Sequence, residues 1–298
     1  MQIKKEFLFG LAQKVGIDII GVVDLKLFAE MKETLLPFEN IPMAFFKGKL
    51  SDRFNVAGEW SEAKGIISFA LSYGSSLNIN GFDKHHLYIS KASYGKDYHE
   101  VLKNKAEKFM AEFCRTYPCN YKIFVDTGLL SDRALAYCAG LGFYGKNNFI
   151  INDKYGSFIF LGHILLDINA ENRAEPVKEK CGKCEKCLKA CPQKAYEKGQ
   201  LLNFENCISY LTQKGRPYFE TNYIYGCDIC QDVCPFNKCA PKDLHAEFLP
   251  QIENVRMDFN DLEEMREEEF QRRFGESALS WRGLKTLKKN AQTVKTRS

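Results

Sequence analysis

Apolar residues recur along the first 170 residues with two different periods, one typical of helices and one typical of strands. The helical period predicts helices over residues 3–15, 97–114 and 131–139, and glycines at 16 and 140 mark the ends of two of them. Runs rich in β-branched and aromatic residues predict strands over 19–23, 66–73 and 121–125. Residues 149–152 and 157–166 predict a hairpin that turns at Tyr155 and Gly156, whereas residues 39–60 have the composition of a loop.

The order of these elements bears on the fold class. Helices and strands occur without a regular strand–helix–strand repeat, which favours an α+β fold over a parallel α/β fold. We predict a mixed-sheet domain over residues 1–175, a cysteine-rich module over 176–240 and a helical segment over 241–298. Near the end of the chain Leu284, Leu287, Ala291 and Val294 recur at helical spacing, which predicts an amphipathic helix.

Eight of the twelve cysteines fall into two runs that both end in Cys-Pro. The first run has the spacing that binds [4Fe-4S] clusters in bacterial ferredoxins, where the fourth cysteine of each run ligates the cluster of the other run. The second run has its first cysteine 20 residues upstream of the next one. We therefore predict a ferredoxin-like module with one cluster on Cys181, Cys184, Cys187 and Cys234, and another on Cys207, Cys227, Cys230 and Cys191.

A structural zinc site is the alternative, because two C-x2-C pairs can also hold zinc. Zinc would require neither the third cysteine of the first run nor the two Cys-Pro ends, so clusters are favoured. Among the other four cysteines, Cys114 and Cys138 lie in apolar helical patterns and are expected to be buried. No role is assigned to Cys119 and Cys239.

Composition and charge add to this interpretation. With 45% hydrophobic and 27% charged residues the chain has the composition of a globular protein, and its longest apolar run, 157–166, is too short to span a membrane. Because an export signal is also lacking at the start, we expect a cytoplasmic protein without a membrane partner. Residues 280–298 contain six basic residues and no acidic one, which indicates either a solvated basic helix or a surface for nucleic-acid phosphates.

The segment from Val125 to Asn147 contains the main candidates for catalysis. Asp126 follows a predicted strand, where a carboxylate can face a cleft or can cap the following turn. Asp132 lies on the next helix and is expected to be structural. The glycines at 140, 142 and 145 suit either tight packing or a large planar ligand. No G-x-G-x-x-G follows a strand, so a Rossmann-type nicotinamide or flavin site is not indicated.

In these motifs the chain resembles the epoxyqueuosine reductases, a family of cobalamin and iron–sulfur enzymes that act on tRNA. We expect a short form, without the full C-terminal helical repeats of the longer members. Besides the first cysteine run, the resemblance rests on Tyr94–His99, Val125–Gly128 with Arg133 and Ala134, Ala139–Gly142 with Gly145–Asn147, Gly156 and Ser157 with Phe160–Gly162, Cys207–Thr212, and Tyr225–Cys230 with Cys234 and Pro235.

The resemblance implies an oxidoreductase that converts epoxyqueuosine at the wobble position of tRNA to queuosine. It implies cobalamin, two [4Fe-4S] clusters and an external low-potential electron donor, with Asp126 as the proton donor and a monomeric protein. The cobalamin contacts that it implies are Arg53, Ser90, Asp126, Ile150, Leu161, Ile164 and Ser209. The basic segments add expected tRNA contacts at Lys214, Arg216, Lys285, Lys288 and Lys289.

Two other functions remain as alternatives. A corrinoid reductive dehalogenase would use the same cofactors, but such proteins typically have a twin-arginine export signal, which this sequence lacks. A ferredoxin-like electron carrier would leave Asp126 and the glycine-rich segment without a role.

Overall fold

The computed structural model describes residues 3–35, 49–77, 85–170, 176–196, 201–218 and 220–295. The chain folds into two compact units. The first unit comprises Met1–Ser72 and His99–Cys184, and the second comprises Tyr73–Tyr98 and Glu185–Ser298. A short segment from the first third of the sequence therefore folds with the cysteine-rich half. None of the helices in the described ranges has the length and apolar character that crossing a bilayer requires.

Most helices are short, and α5 and α14 are the two longest. In chain order the elements as far as residue 166 are α1 (Lys5–Val15), β1 (Ile19–Val22), α2 (Leu25–Glu30), α3 (Lys32–Leu35), α4 (Val56–Glu59), β2 (Gly65–Ser72), β3 (His86–Ile89), α5 (Tyr98–Thr116), β4 (Tyr121–Phe124), α6 (Asp132–Cys138), β5 (Phe143–Tyr144), β6 (Ile150–Ile151) and β7 (Ile159–Leu166). The remaining elements are α7 (Lys186–Ala190), α8 (Ile208–Lys214), β8 (Tyr223–Tyr225), α9 (Ile229–Asp232), α10 (Pro235–Lys238), α11 (Ile252–Val255), β9 (Arg256–Asp258), α12 (Phe259–Glu264), α13 (Glu267–Phe274) and α14 (Gly283–Lys295).

The first unit is built on a four-stranded sheet in the order β1-β2-β7-β4, antiparallel throughout. Strand β2 lies between two neighbours and is buried along all eight residues, six of which are apolar or glycine and two of which, Ser68 and Ser72, are polar. In the core on one face, Ala134 and Leu135 of α6 lie in the same cluster as Ile66 of β2 and Leu165 of β7. This packing positions the segment between β4 and α6.

Two sequence predictions fail in this unit. Strand β7 exists, but it pairs with β2 and β4, while β6 pairs with β5, so the predicted hairpin is wrong. A single bridge between Asn152 and Gly156 marks the predicted turn. The described part of residues 39–60 also contains a 3-10 helix, Leu50–Phe54, and helix α4, so the loop prediction is wrong there.

The second unit contains the mixed sheet, in the order β8-β3-β9. Strand β3, which the sequence did not predict, runs parallel to β8 and antiparallel to β9. As predicted, α14 buries Leu284, Leu287, Ala291 and Val294. The helix is also anchored by Asn290, whose amide donates to the carbonyls of Thr212 at 2.7 Å and Ile224 at 2.8 Å. The α+β class is thus confirmed, although the sheet of the first unit is antiparallel and not mixed.

Candidate active site and cluster-binding cysteines

Asp126 combines backbone strain with an exposed carboxyl group. It follows β4 and has a φ of +56°, a left-handed conformation that is unfavourable for residues other than glycine and less so for Asp and Asn. Its side chain is 63% exposed, and its Oδ2 lies 3.9 Å from Nε2 of His99, in the first turn of α5. Strained residues of this kind concentrate at functional sites. The geometry therefore presents a carboxyl group at a fixed place that solvent can reach.

Asp132 has a different environment. It begins α6 directly after Ser131, whose hydroxyl caps the helix by accepting from the Ala134 N–H at 3.1 Å. Oδ1 of Asp132 lies 3.1 Å from Nε2 of His163, which is completely buried and stacked on the ring of Phe124. The two polar groups approach closely in the core without the geometry of a hydrogen bond. This environment supports a structural role for Asp132.

The other first-unit residues implied to touch cobalamin differ in what they can reach. Arg53 and Ile150 are buried, and the carbonyl of Arg53 accepts from the N–H of Ser131 at 2.9 Å. Leu161 and Ile164 are three residues apart in β7, so their side chains project from opposite faces of the sheet. Ile164 is completely buried, whereas Leu161 is partly exposed. Of these two side chains, that of Leu161 is the one open to contact with a ligand, whereas Ile164 lies between its partners Ile67 of β2 and Ile123 of β4.

The glycine-rich segment is explained by packing of the protein on itself. A Cβ at Gly142 would lie 2.4 Å from the carbonyl oxygen of Ile151, and one at Gly145 would lie 2.3 Å from Cδ1 of the same residue. Gly142 requires glycine because the backbone of Ile151 in β6 approaches it closely, whereas at Gly145 the nearest atom is the end of the Ile151 side chain. Of the two interpretations left open by the sequence, tight packing accounts for Gly142.

In the second unit, the sulfur atoms of Cys207, Cys227 and Cys230 are neighbours. Burial raises the pKa of each thiol. The negative charge of Cys230 raises the pKa of Cys227 further, and the charge of Cys207 raises the pKa of both Cys227 and Cys230. Cys191 acts on Cys207 in the same way. Thiolates crowded in this manner are unfavourable alone but suit a site in which positive metal centres compensate their charge. The four cysteines fit the crossed ligand set predicted for the second cluster.

Each of these four sulfurs also receives a hydrogen bond. The N–H of Ala195 donates to Sγ of Cys191 at 3.4 Å. The backbone N–H groups of Ser209 and Tyr210 donate to Cys207, and that of Ile229 donates to Cys227. Cys230 accepts from the hydroxyl of Tyr196, a residue that the sequence did not single out. Such donors stabilise negative charge on cluster sulfurs and so influence the reduction potential.

The ligands predicted for the first cluster belong to both units and are described separately. In the first unit, the carbonyl of Cys181 accepts from the N–H of Cys184 at 2.9 Å, and Nζ of Lys146 donates to the carbonyl of Gly182 at 2.6 Å. In the second unit, Cys234 is buried, and the charge of Cys187 acts on Cys230 and Tyr196. Within the described ranges, no three His, Cys, Asp or Glu side chains are placed to hold a single metal ion.

A buried charge network supports the loop between Cys227 and Cys230. Nζ of Lys91 lies 2.6 Å from Oδ1 of Asp232 and 3.7 Å from Oδ2 of Asp228, which also accepts from the backbone N–H of Lys91 at 2.7 Å. Burial raises the pKa of Asp228 to about 6, although the Lys91 charge opposes this shift. The neighbouring Ser90 packs against Gly226, where a Cβ would lie 2.1 Å from the Ser90 hydroxyl. Burial of Lys91 was not predicted from the sequence.

The predicted tRNA contacts are not equally available. On α14, Lys285 and Lys289 are exposed, whereas Lys288 donates to the carbonyls of Glu263 and Met265, both at 2.8 Å. Arg216 lies 3.7 Å from Glu205 and over the ring of Tyr210, and Lys214 is in the last turn of α8. Ser209, in the same helix, accepts from the Thr212 hydroxyl through its carbonyl at 3.2 Å. Lys285 and Lys289 are thus the least engaged cations of α14.

Together, the eight-cysteine module and the exposed acid of the first unit define an iron–sulfur oxidoreductase. Residues 180–237 match the profile of a "4Fe-4S double cluster binding domain", which confirms clusters and not zinc. Residues 53–127, which end at Thr127 beside the candidate acid, match the profile "Epoxyqueuosine reductase QueG, DUF1730".

Whole-chain comparisons give the same family. The epoxyqueuosine reductase of Bacillus subtilis is 36% identical over 96% of this chain and 77% of its own length, and that of Leadbetterella byssophila is 33% identical over 95% and 96%. A crystal structure of an epoxyqueuosine reductase with an epoxyqueuosine-modified tRNA-Tyr stem loop matches with a TM-score of 0.84 at 33% identity, over 97% of this chain and 80% of that chain. The chain belongs to the epoxyqueuosine reductase family.

A second solved relative bears on the acid. The B. subtilis epoxyqueuosine reductase has been solved with its catalytic aspartate loop swung out of the active site, and it matches this chain with a TM-score of 0.83 at 32% identity, over 97% of this chain and 80% of that one. Family membership also favours the reductase over the dehalogenase and electron-carrier alternatives.

Proposed function

We propose that this chain reduces the epoxide of epoxyqueuosine at the wobble position of tRNA to the alkene of queuosine. The reaction takes up two electrons and two protons and releases the epoxide oxygen as water. The observation that carries the proposal is the match, over 97% of the chain, to an epoxyqueuosine reductase solved with a modified tRNA stem loop. The cluster-binding module supplies the means of delivering electrons one at a time.

In this proposal Asp126 is the proton donor. Breaking a carbon–oxygen bond leaves negative charge on the departing oxygen, and a positioned acid removes that charge in the transition state. Asp126 suits the task because its carboxyl group is exposed, while its left-handed backbone fixes the direction of the side chain. Nε2 of His99, 3.9 Å from Oδ2, lies within reach through one bridging water and can return a proton. The B. subtilis relative, solved with a catalytic aspartate loop swung out of the active site, supports an aspartate in this role.

We assign the electron-delivering group as cobalamin, which would supply low-valent cobalt to attack or reduce the epoxide. The residues assigned to it are Arg53, Asp126, Ile150, Leu161 and Ile164 in the first unit and, separately, Ser90 and Ser209 in the second unit. Electrons would come from an external low-potential donor through clusters on the two crossed cysteine sets. We further propose that the protein acts in the cytoplasm as a monomer.

The proposal is tested with anaerobically purified protein. Two cubanes require about eight irons and about eight sulfides per chain, and bound cobalamin is identified from its corrin absorption. The reduced protein is then incubated with tRNA from a strain that accumulates epoxyqueuosine, and the nucleosides are analysed by mass. We expect a product one oxygen atom lighter than epoxyqueuosine. Unchanged epoxyqueuosine with protein that contains corrin and both clusters would overturn the proposal.

The tRNA contacts are tested on α14. Lys285 and Lys289 are exposed, so replacing both with glutamine should weaken tRNA binding and reduce the slope of log affinity against log salt by about one unit per lost phosphate contact. Lys288→Gln is the matched control, since this side chain already donates to two backbone carbonyls and should affect stability more than binding. An unchanged salt slope in the double variant would show that the tRNA is held elsewhere.

A further inference from the structure

The two cysteines at the end of α5 lie side by side. Cys114, in the last turns of the helix, and Cys119, two residues before β4, have their Sγ atoms 3.8 Å apart. Sγ of Cys114 is also 3.7 Å from the carbonyl oxygen of Cys119. Neither residue belongs to the predicted cluster ligands. Both side chains are only partly buried, so Cys114 differs from the fully buried residue that its apolar pattern predicts.

The connection that carries Cys119 is fixed on both sides of this residue. The ring of Tyr117 packs against Phe113 at 5.1 Å and against Phe7 at 5.4 Å. Asn120 donates to Asp167 through its backbone N–H at 3.0 Å and through its side chain at 2.8 Å. Because the residues flanking Cys119 are anchored, the two thiols are held next to one another by the fold and do not meet by chance.

We propose that Cys114 and Cys119 are a thiol-modification site that forms a reversible disulfide. The sulfurs must approach from 3.8 Å to the bonded distance of about 2.0 Å, a change that side-chain rotation can supply. A low-molecular-weight disulfide is the oxidant. Cys114 attacks it, forms a mixed disulfide and releases one thiol, and Cys119 then attacks Sγ of Cys114 and releases the second. Two cysteine thiols are oxidised, and one small disulfide is reduced to two thiols.

The order of attack follows from the environment of Cys119. Burial, followed by the neighbouring Cys114, raises the pKa of Cys119 to about 12, which keeps this thiol protonated at neutral pH. Cys114 therefore reacts first, since a thiolate is the attacking species. Once Cys114 is held in the mixed disulfide, its charge no longer opposes ionisation of Cys119, which then makes the second attack. The disulfide would tie the end of α5 to the start of β4. Helix α5 carries His99 at its opposite end, and β4 leads into Asp126.

Trypsin offers a direct test, because cleavage after Arg115 separates the two cysteines into peptides 109–115 and 116–122. The full-length protein with its clusters is treated anaerobically with oxidised glutathione, at a dose that leaves its iron content unchanged, and is then alkylated and digested. We expect the two peptides to be joined and to separate on reduction with dithiothreitol. In Cys119→Ser, Cys114 should instead retain glutathione, while Cys138→Ser, a change at a fully buried thiol, should leave the crosslink intact.

Cys239 is exposed and serves as an internal control for the oxidant. If peptides 109–115 and 116–122 are recovered unlinked under conditions that convert Cys239 to its glutathione adduct, the proposal is overturned. The same holds if peptide 109–115 of the parent protein is recovered joined to a peptide other than 116–122, since another cysteine would then be the partner of Cys114.

Discussion

Asp126 in the first unit and the four clustered cysteines of the second unit are held by opposite means. Asp126 is exposed, and its Oδ2 lies 3.9 Å from Nε2 of His99. Its position is set by a left-handed backbone. The sulfurs of Cys191, Cys207, Cys227 and Cys230 instead each accept a hydrogen bond, and the adjoining loop is tied to a buried lysine.

The difference corresponds to the two kinds of particle that the proposed reaction consumes, protons and electrons. A proton donor has to be reloaded after each turnover, so contact with solvent is useful to it. A redox centre works best among dipoles that are already oriented, because little then has to rearrange when its charge changes. The comparison teaches that the proton side of this protein is open and locally strained, whereas the electron side is enclosed and extensively bonded.

The largest effect is expected from the crossed cysteine ligands. Cys191→Ser should abolish the cluster of the second run, and Cys234→Ser that of the first run, with a loss of about four of about eight irons in each case. Paramagnetic resonance of the reduced proteins should show that Cys191→Ser loses the same signal as Cys207→Ser. Cys239→Ser, at an exposed cysteine outside both sets, is the control. If Cys191→Ser matches Cys181→Ser instead, each run holds its own cluster.

The next largest effect should follow removal of the acid. Asp126→Asn preserves the shape of the side chain and tolerates the positive φ, but the amide cannot donate the required proton, so turnover should fall about 100-fold or more. Corrin and iron contents should not change. Asp132→Asn is the control: it should leave turnover close to the parent value and lower stability through its contact with His163. An Asp126→Asn variant as active as the parent would make Asp126 a structural residue.

The buried lysine tests the enclosed region. Lys91→Met leaves Asp228 buried without its cation, and should lower the free energy of unfolding by about 3 kcal/mol, as removal of one partner from a buried ion pair does. Lys96→Met is the matched control, because Lys96 and Glu276 form an exposed pair and its loss should cost less than about 0.5 kcal/mol. Anaerobic denaturant unfolding measures both. Equal effects would argue that burial of the network contributes little.

The smallest effect should come from a single hydrogen bond to sulfur. Tyr196→Phe removes the donor to Cys230 and should make the potential of the corresponding cluster more negative by roughly 40 mV, the one-electron equivalent of about 1 kcal/mol. Tyr218→Phe is the control, since its hydroxyl donates to the carbonyl of Tyr223. A redox titration followed by paramagnetic resonance compares the two variants. Identical potentials in Tyr196→Phe and the parent would remove Tyr196 from the set of tuning residues.

Elements with a strong local pattern were predictable, and their partners were not. Helices α1, α5, α6 and α14 follow from apolar spacing and caps, and the predicted run 157–166 does contain a strand. The partners of that strand, β2 and β4, lie about 90 and 40 residues earlier in the chain. An apolar run does not indicate which other strand it will pair with. Strand β3 was missed because it has only four residues and a polar residue flanks it on each side, so its apolar pattern is too weak to predict a strand.

The candidate site likewise contains some features that the sequence predicted and others that it did not. Cysteine spacing predicted a double-cluster module, and the position of Asp126 after a strand made it a candidate acid. The sequence did not indicate His99 as its neighbour, Tyr196 as a donor to sulfur, or Lys91 as a buried charge. A lysine or tyrosine far from a motif is usually solvated or part of a core, so its type alone does not distinguish these roles.

By itself, then, the sequence determined what can be specified within a few residues: helical faces, caps, and the cysteine spacing that selects an iron–sulfur module. The tertiary structure decided which groups separated in the chain come together. It paired β7 with β2 and β4, placed Lys91 beside Asp228 across 137 residues, and held the two thiols of Cys114 and Cys119 in contact. The physical reason is that spacing acts through local backbone geometry, whereas such contacts form only when burial of the whole core compensates the entropy of closing long loops.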